Sequence, residues 1–227
     1  MSDVRSGRGR GRPTAPVLTQ RRIGDAALLI IQSHGYRALT MAALARQLGV
    51  STSALYNHVG SKREILILLQ DRINQEIDCS GFLSEPWDRA LERWAWSYRE
   101  VYSRNIPLIA VIAVMPVADS PHTLRMYETV TAALSEAGWP REWIVDAIVS
   151  VESLVFGSAY DSVAPPHIFD PGALRDAAPN FAAAVQHRDE HATTPPALSP
   201  ADRAFQLALD AMLHGLRARL SELTTAR

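Results

Sequence analysis

Between Ser51 and Val59 the chain reads STSALYNHV, in which polar side chains surround two apolar residues. Leu55 and Val59 are four residues apart, so in a helix they share one face. Thr52, Ser53, Tyr56, Asn57 and His58, with Lys62 just beyond, then point outward together. Hydroxyls, an amide, an imidazole and an ammonium presented side by side suit hydrogen bonding to the edges of DNA bases in a groove. A helical hairpin buried in an ordinary core has no need to expose such a set.

The flanking residues explain how these groups are held. Thr40 can cap a helix whose Leu44 and Leu48 share a face, and Gly49 supplies the left-handed conformation that ends it. Val50 follows, and Ser51 can cap the next helix, which carries the outward set. Ser61 and Glu64 have the spacing of a capping box and open a helix with Ile65, Leu66, Leu68, Leu69 and Ile73. Upstream, Thr19 to His34 carries Ile23, Ala27, Leu28, Ile30 and Ile31 as one stripe, ended by Gly35. Two short helices about a glycine turn, braced before and behind, are the layout of a helix-turn-helix.

Charge is divided to match. The 227-residue chain has a net charge of -1, yet residues 1–63 hold ten Lys or Arg against Asp3 and Asp25, a net +8, leaving -9 on the remainder. A basic unit on an acidic body suits a polyanion binder with a separate regulatory domain. Residues 1–17 are rich in Gly, Arg and Pro and are expected to form a disordered basic arm. Within it GRGRGRP, Gly7 to Pro13, resembles an AT-hook, whose Arg8, Arg10 and Arg12 would enter a narrow minor groove. A non-specific arm is an equal alternative. The N-terminal twenty residues lack an apolar leader core, and the apolar run Ile106 to Ala118, broken by Pro107 and Pro116, is too short for a bilayer. A cytoplasmic protein without a membrane partner is expected. The single cysteine, Cys79, reads as a passive thiol.

Signals for catalysis are thin. There is no Gly-rich phosphate loop, nucleophile elbow or HExxH, so no catalytic residue, metal or cofactor is expected, and an all-helical enzyme is the least supported class. His187 and His191 have metal-ligand spacing only if helical, and they stand in a Pro-flanked polar stretch that favours solvated histidines.

The body reads as all-α. Pro86 leads into a helix from Trp87 to Arg104, Pro107 to Val117 is apolar on nearly every face and is expected to be buried, and His122 to Ala137 is amphipathic, closed by Gly138 and Pro140. Glu142 to about Val163 forms a long apolar helix. Residues 165–200 hold seven of the fourteen prolines and should be mostly irregular apart from a short helix near Pro179 to His187. A last helix runs from about Ser199 to Leu223. In it Ala204, Ala208, Ala211, Gly215 and Ala218 form a row of small residues beside Phe205, Leu209, Met212, Leu216 and Leu220. Ser150, Ser153 and Gly157 lie beside Val151, Leu154 and Val155 in the preceding long helix. These two helices and their copies in a second chain are expected to make a four-helix dimer interface; alternatively both stripes face the chain's own core.

With this helix-turn-helix ahead of an all-helical body, the chain resembles the TetR family of transcriptional regulators. The resemblance is specific over about Thr19 to Leu69, above all in LGVSTSALYNHVGSKREIL, and architectural beyond. It implies a basic arm at 1–17, a DNA-binding domain at 18–65, and an effector-binding and dimerisation domain at 66–227. It also implies a homodimer whose recognition helices, Ser51 to His58, enter successive major grooves of a double-stranded, pseudo-palindromic operator about 34 Å apart. A small-molecule effector would release the DNA. Position by position, Thr52, Ser53 and Asn57 resemble base or near-base contacts, while Thr40, Tyr56, His58 and Lys62 resemble phosphate contacts. Ala42 stands where the tetracycline repressors carry a base-reading arginine, so their operator does not transfer, and Ala54 can reach only a thymine methyl group.

For the effector, Trp94, Tyr98, Tyr102, Met115, His122, Met126, Tyr127, Trp143, Phe156, Tyr160 and Asp161 offer an aromatic wall with polar anchors, favouring an apolar or aromatic ligand. Plain core packing is the competing reading for each aromatic. A ligand-responsive repressor is the expected function; an architectural minor-groove protein is the other DNA-binding alternative, and activation rather than repression is also open.

Overall fold

The computed structural model describes residues 18–165, 167–190 and 198–225, and among these all regular structure is helical. The N-terminal unit is α1 (Gln20–His34), α2 (Met41–Leu48), α3 (Thr52–Tyr56) and the start of α4 (Lys62–Asn74). Each begins on a hydroxyl cap. Thr19, Thr40, Ser51 and Ser61 accept from the backbone N–H groups of Arg22, Ala43, Ala54 and Glu64 at 3.3, 3.1, 3.1 and 3.2 Å. Gly49 takes the left-handed conformation, φ 68°, between α2 and α3. Ile23, Ile31, Leu44, Leu55, Ile65 and Leu69 close the unit's core.

The capping box differs in one detail: Glu64 reaches past Ser61 to accept from the Gly60 N–H at 2.8 Å. The recognition helix is shorter than expected, since Asn57 and His58 form the turn after Tyr56. α4 runs unbroken through the expected domain boundary at 65/66, packing on α1 near its start and on α7 further along.

The body comprises α5 (Trp87–Ser103), α6 (Ile106–Ile112), α7 (Pro121–Glu136), α8 (Arg141–Asp161), α9 (Pro179–Glu190) and α10 (Pro200–Thr225). α8 is its centre, packed against α5, α7 and α10. Among the described residues α8, rather than 106–118, is by length and composition the helix apolar enough to cross a membrane, and one of its faces, with Ile148, Val151, Val155 and Ala159, is buried in this helical core.

Two expectations need correction. The 107–117 stretch is buried on one face only: Leu108, Ile109 and Ile112 turn inward, the helix stops there, and Val114 is 81% exposed. Helical period, which continuous apolarity hides, leaves the other face outward. In α10 the two rows part company, because Phe205, Leu209 and Leu213 fill the chain's own core while Ala204, Ala211, Gly215 and Ala218 are exposed. α9 also extends to Glu190, and His191 lies outside the described residues.

Candidate nucleic-acid interface and the core behind it

The outward set is where the spacing put it. Leu55 is 0% and Val59 2% exposed, which fixes the orientation of α3 and leaves Thr52, Ser53, Tyr56, Asn57 and His58 all exposed. Ser53 Oγ is 3.0 Å from the capping hydroxyl of Ser51, so the two first-turn hydroxyls are positioned together. Thr40 is exposed at the head of α2. Lys62 is half-buried rather than fully outward: its Nζ lies 3.9 Å from the centroid of the Tyr36 ring and 3.5 Å from the Tyr36 carbonyl oxygen. Arg8, Arg10 and Arg12, with the AT-hook-like segment, lie outside the described residues.

Several of the aromatic residues are packed together in the core of the body. Trp94, Tyr98, Tyr102 and Met126 are buried, and Tyr98 packs on Trp94, Tyr102 and Phe156 with ring centroids 5.1, 5.0 and 5.6 Å apart. Tyr127 and Met115 flank this core, and Trp143 lies at its edge, with the Arg219 guanidinium 4.4 Å from its ring. Tyr160 is exposed, Asp161 is half-buried at the end of α8, and His122 stands at the head of α7, where Arg125 approaches its Nδ1.

A buried polar string, unread in the sequence, runs through the cluster. Tyr98 and Tyr127 both donate to Glu152 Oε1, at 3.0 and 2.6 Å. Burial pushes the Glu152 carboxyl above its ordinary value, against the phenol hydrogen bonds that pull it down, and burial also raises the Tyr98 phenol. Tyr102 donates to Asn74 Oδ1 at 2.8 Å, and Asn74 Nδ2 donates to Thr123 at 2.9 Å. Asp71 accepts from the His122 backbone N–H at 2.7 Å. α4, which leaves the DNA-binding unit, is therefore tied by Asp71 and Asn74 to α7 and to the aromatic core.

A separate open cleft of about 780 Å³ lies along α5, lined by Arg93, Trp96, Ser97, Arg99, Ser162 and Asp202 among others. None of the residues expected at an effector site lines it. The single sequence signal for Glu152 was a lone acid between Asp146 and Asp161 in an apolar helix; Arg99 carried none.

Two family models cover this arrangement. The model for "Bacterial regulatory proteins, tetR family" matches residues 23–69, and the "Tetracyclin repressor-like, C-terminal domain" matches residues 83–220. The chain belongs to the TetR family. Among TetR-family relatives, the HTH-type transcriptional repressor DrrR1 of Streptomyces coeruleorubidus is 30% identical over 68% of this chain, and that match spans only 57% of DrrR1. The tetracycline repressor class E of Escherichia coli is 24% identical over 86% of this chain and 89% of its own length. The fold is shared with apo ActR from Streptomyces coelicolor, at 24% identity, TM-score 0.71, and coverage of 91% of this chain and 98% of that one. ActR in complex with actinorhodin is 25% identical with TM-score 0.69, covering 89% and 97%. The chain is thus a TetR-family transcriptional regulator with a helix-turn-helix DNA-binding unit.

Proposed function

We propose that the chain is a ligand-responsive repressor that binds a pseudo-palindromic operator as a homodimer in the cytoplasm and is released by a small apolar or aromatic effector. The observation that carries this reading is the exposed polar set of α3 and the turn after it, Thr52 to His58, beside a buried Leu55 and Val59. Thr52, Ser53 and Asn57 read or approach bases, Thr40, Tyr56 and His58 hold phosphates, and Lys62 joins them by turning from Tyr36. Arg8, Arg10 and Arg12 add phosphate or minor-groove contacts.

Dimerisation is supported by one continuous face. Val145, Val149, Ser153, Gly157 and Tyr160 of α8 are exposed at nearly four-residue spacing beside the small row of α10 and Leu207, which is 73% exposed. Small residues permit close helix approach, and exposed Val, Tyr and Leu supply apolar area for it. Effector response is supported by α4, whose Asp71 and Asn74 contacts join the DNA unit to the core of the body, and by the complex of the similar ActR with actinorhodin.

Selection of bound sequences from a random DNA pool, repeated with a mixed small-molecule extract, tests the proposal. A palindromic consensus that is lost on adding the extract is expected; enrichment for A·T content alone would favour an architectural protein instead.

A further inference from the structure

Glu152 is an acid set among aromatic rings with no base to match it. Both hydrogen bonds it accepts, from the Tyr98 and Tyr127 phenols at 3.0 and 2.6 Å, fall on Oε1. Oε2 accepts none among the described residues and, unlike the indole nitrogen of Trp94, is not sealed from solvent. Nor does any Lys, Arg or His among the described residues pair with this carboxylate. A carboxylate taken out of water is ordinarily matched by a cation or by a full set of donors, and two phenols on one oxygen supply only part of that. The rise of the Glu152 carboxyl above its ordinary value on burial reflects the same shortfall.

The surrounding rings and the charge together decide what would fill the open oxygen. Tyr98 and Tyr102 are at most 2% exposed, whereas Tyr127 and Phe156 are half-buried, so the latter two are the rings that a ligand at Oε2 can meet. Phe156 is one turn along α8 from Glu152 and shares its face, and Tyr127 reaches the carboxylate from α7. A ligand carboxylate would be repelled by Glu152, and a neutral hydroxyl could donate to Oε2 but would leave the charge unmatched. A protonated amine donates to Oε2, balances the charge, and is attracted by the faces of the neighbouring rings.

We propose that Glu152 Oε2, with the Tyr127 and Phe156 rings beside it, binds the protonated amine of an aromatic ligand. The inference rests on the effector-responsive reading above and names that effector's charge, at the meeting of α8 with α5 and α7.

The test is equilibrium dialysis of the full chain at pH 8 against 2-naphthylmethylammonium, 2-naphthylmethanol and 2-naphthoate, one ring system carrying a cation, a neutral donor and an anion. The ammonium is expected to bind about tenfold or more tighter than either of the others. Glu152→Gln keeps an acceptor for the two phenols and removes the charge, so the ammonium should fall to the level of the alcohol. If that variant does not fold, Phe156→Leu, which keeps apolar bulk and removes an aromatic face, should weaken the ammonium by about threefold or more and leave the alcohol little changed. Equal binding of ammonium and alcohol, as when Oε2 needs only a water, overturns the proposal; so do tighter naphthoate binding, absence of ammonium binding, a preference that survives Glu152→Gln, or an unaffected Phe156→Leu variant. Operator binding is followed in parallel, with and without the ammonium. Failure to bind an operator, or an operator retained with the ammonium bound, would count against the effector-responsive reading and leave the ammonium preference standing.

Discussion

Glu152 sits 9% exposed between two phenols, and its carboxyl is raised because burial outweighs the hydrogen bonds from Tyr127 and Tyr98. A carboxyl whose folded value exceeds its unfolded one, near 4.5, stabilises the fold most below that value and loses the contribution as pH rises through the folded value. Glu152→Gln removes the titration. In urea titrations the variant should therefore gain on the native protein between pH 4.5 and pH 8, and a pH-independent difference would contradict the assignment. Cys79 follows the same logic: burial first, then Asp78 beside it, pushes the thiol up to about 11. Neutral-pH alkylation should be slow, in keeping with a passive thiol, and a rate matching free cysteine would refute this. Local chemistry of this kind was unevenly legible. The caps Thr19, Thr40, Ser51 and Ser61 could be read because each bonds three residues away. The partners of Glu152 and Asn74 are 25 to 54 positions distant, where no local pattern reports them.

At the level of helices, α8 and α10 share their surfaces between the chain's own core and an open face. Periodicity marked both stripes of α10 but could not say which faced inward, since either row could fill a groove. Leu207→Glu with Ala211→Glu places charges on the exposed face without touching the buried Phe205 and Leu209. Sedimentation should show this variant as a folded monomer, whereas an unchanged dimer would move the interface elsewhere. α4 is the other decisive element, because its far end holds Asn74 between Tyr102 and Thr123 at 4% exposure. Asn74→Ala leaves those hydroxyls short of a partner and should cost about 1–3 kcal/mol in urea unfolding. The sequence showed this helix as a brace for the DNA unit and did not show its grip on the body, because Asp71 and Asn74 look like ordinary polar residues on an amphipathic helix.

Across the molecule, positive charge collects at the N-terminal end and the acids on the body. Removal of residues 1–17 should weaken operator binding and flatten its salt dependence by about 0.9 in the log–log slope for each arginine that no longer meets a phosphate. An unchanged slope would exclude the arm as a DNA contact. Family and fold were legible because the helix-turn-helix is set by short-range signals, while the packing of the body was not, because Tyr98, Tyr102 and Phe156 meet one another only through the tertiary fold. The exposed side chains of α3 and the turn after it are the groups proposed to read DNA. Affinities of the native protein, Tyr56→Ala and Asn57→Ala should be measured across every single-base variant of the selected operator. Tyr56→Ala should weaken all of them by a common factor, whereas Asn57→Ala should erase a preference worth about 1–3 kcal/mol at one position in each half-site. Uniform losses from both substitutions, or no loss from either, would contradict this assignment.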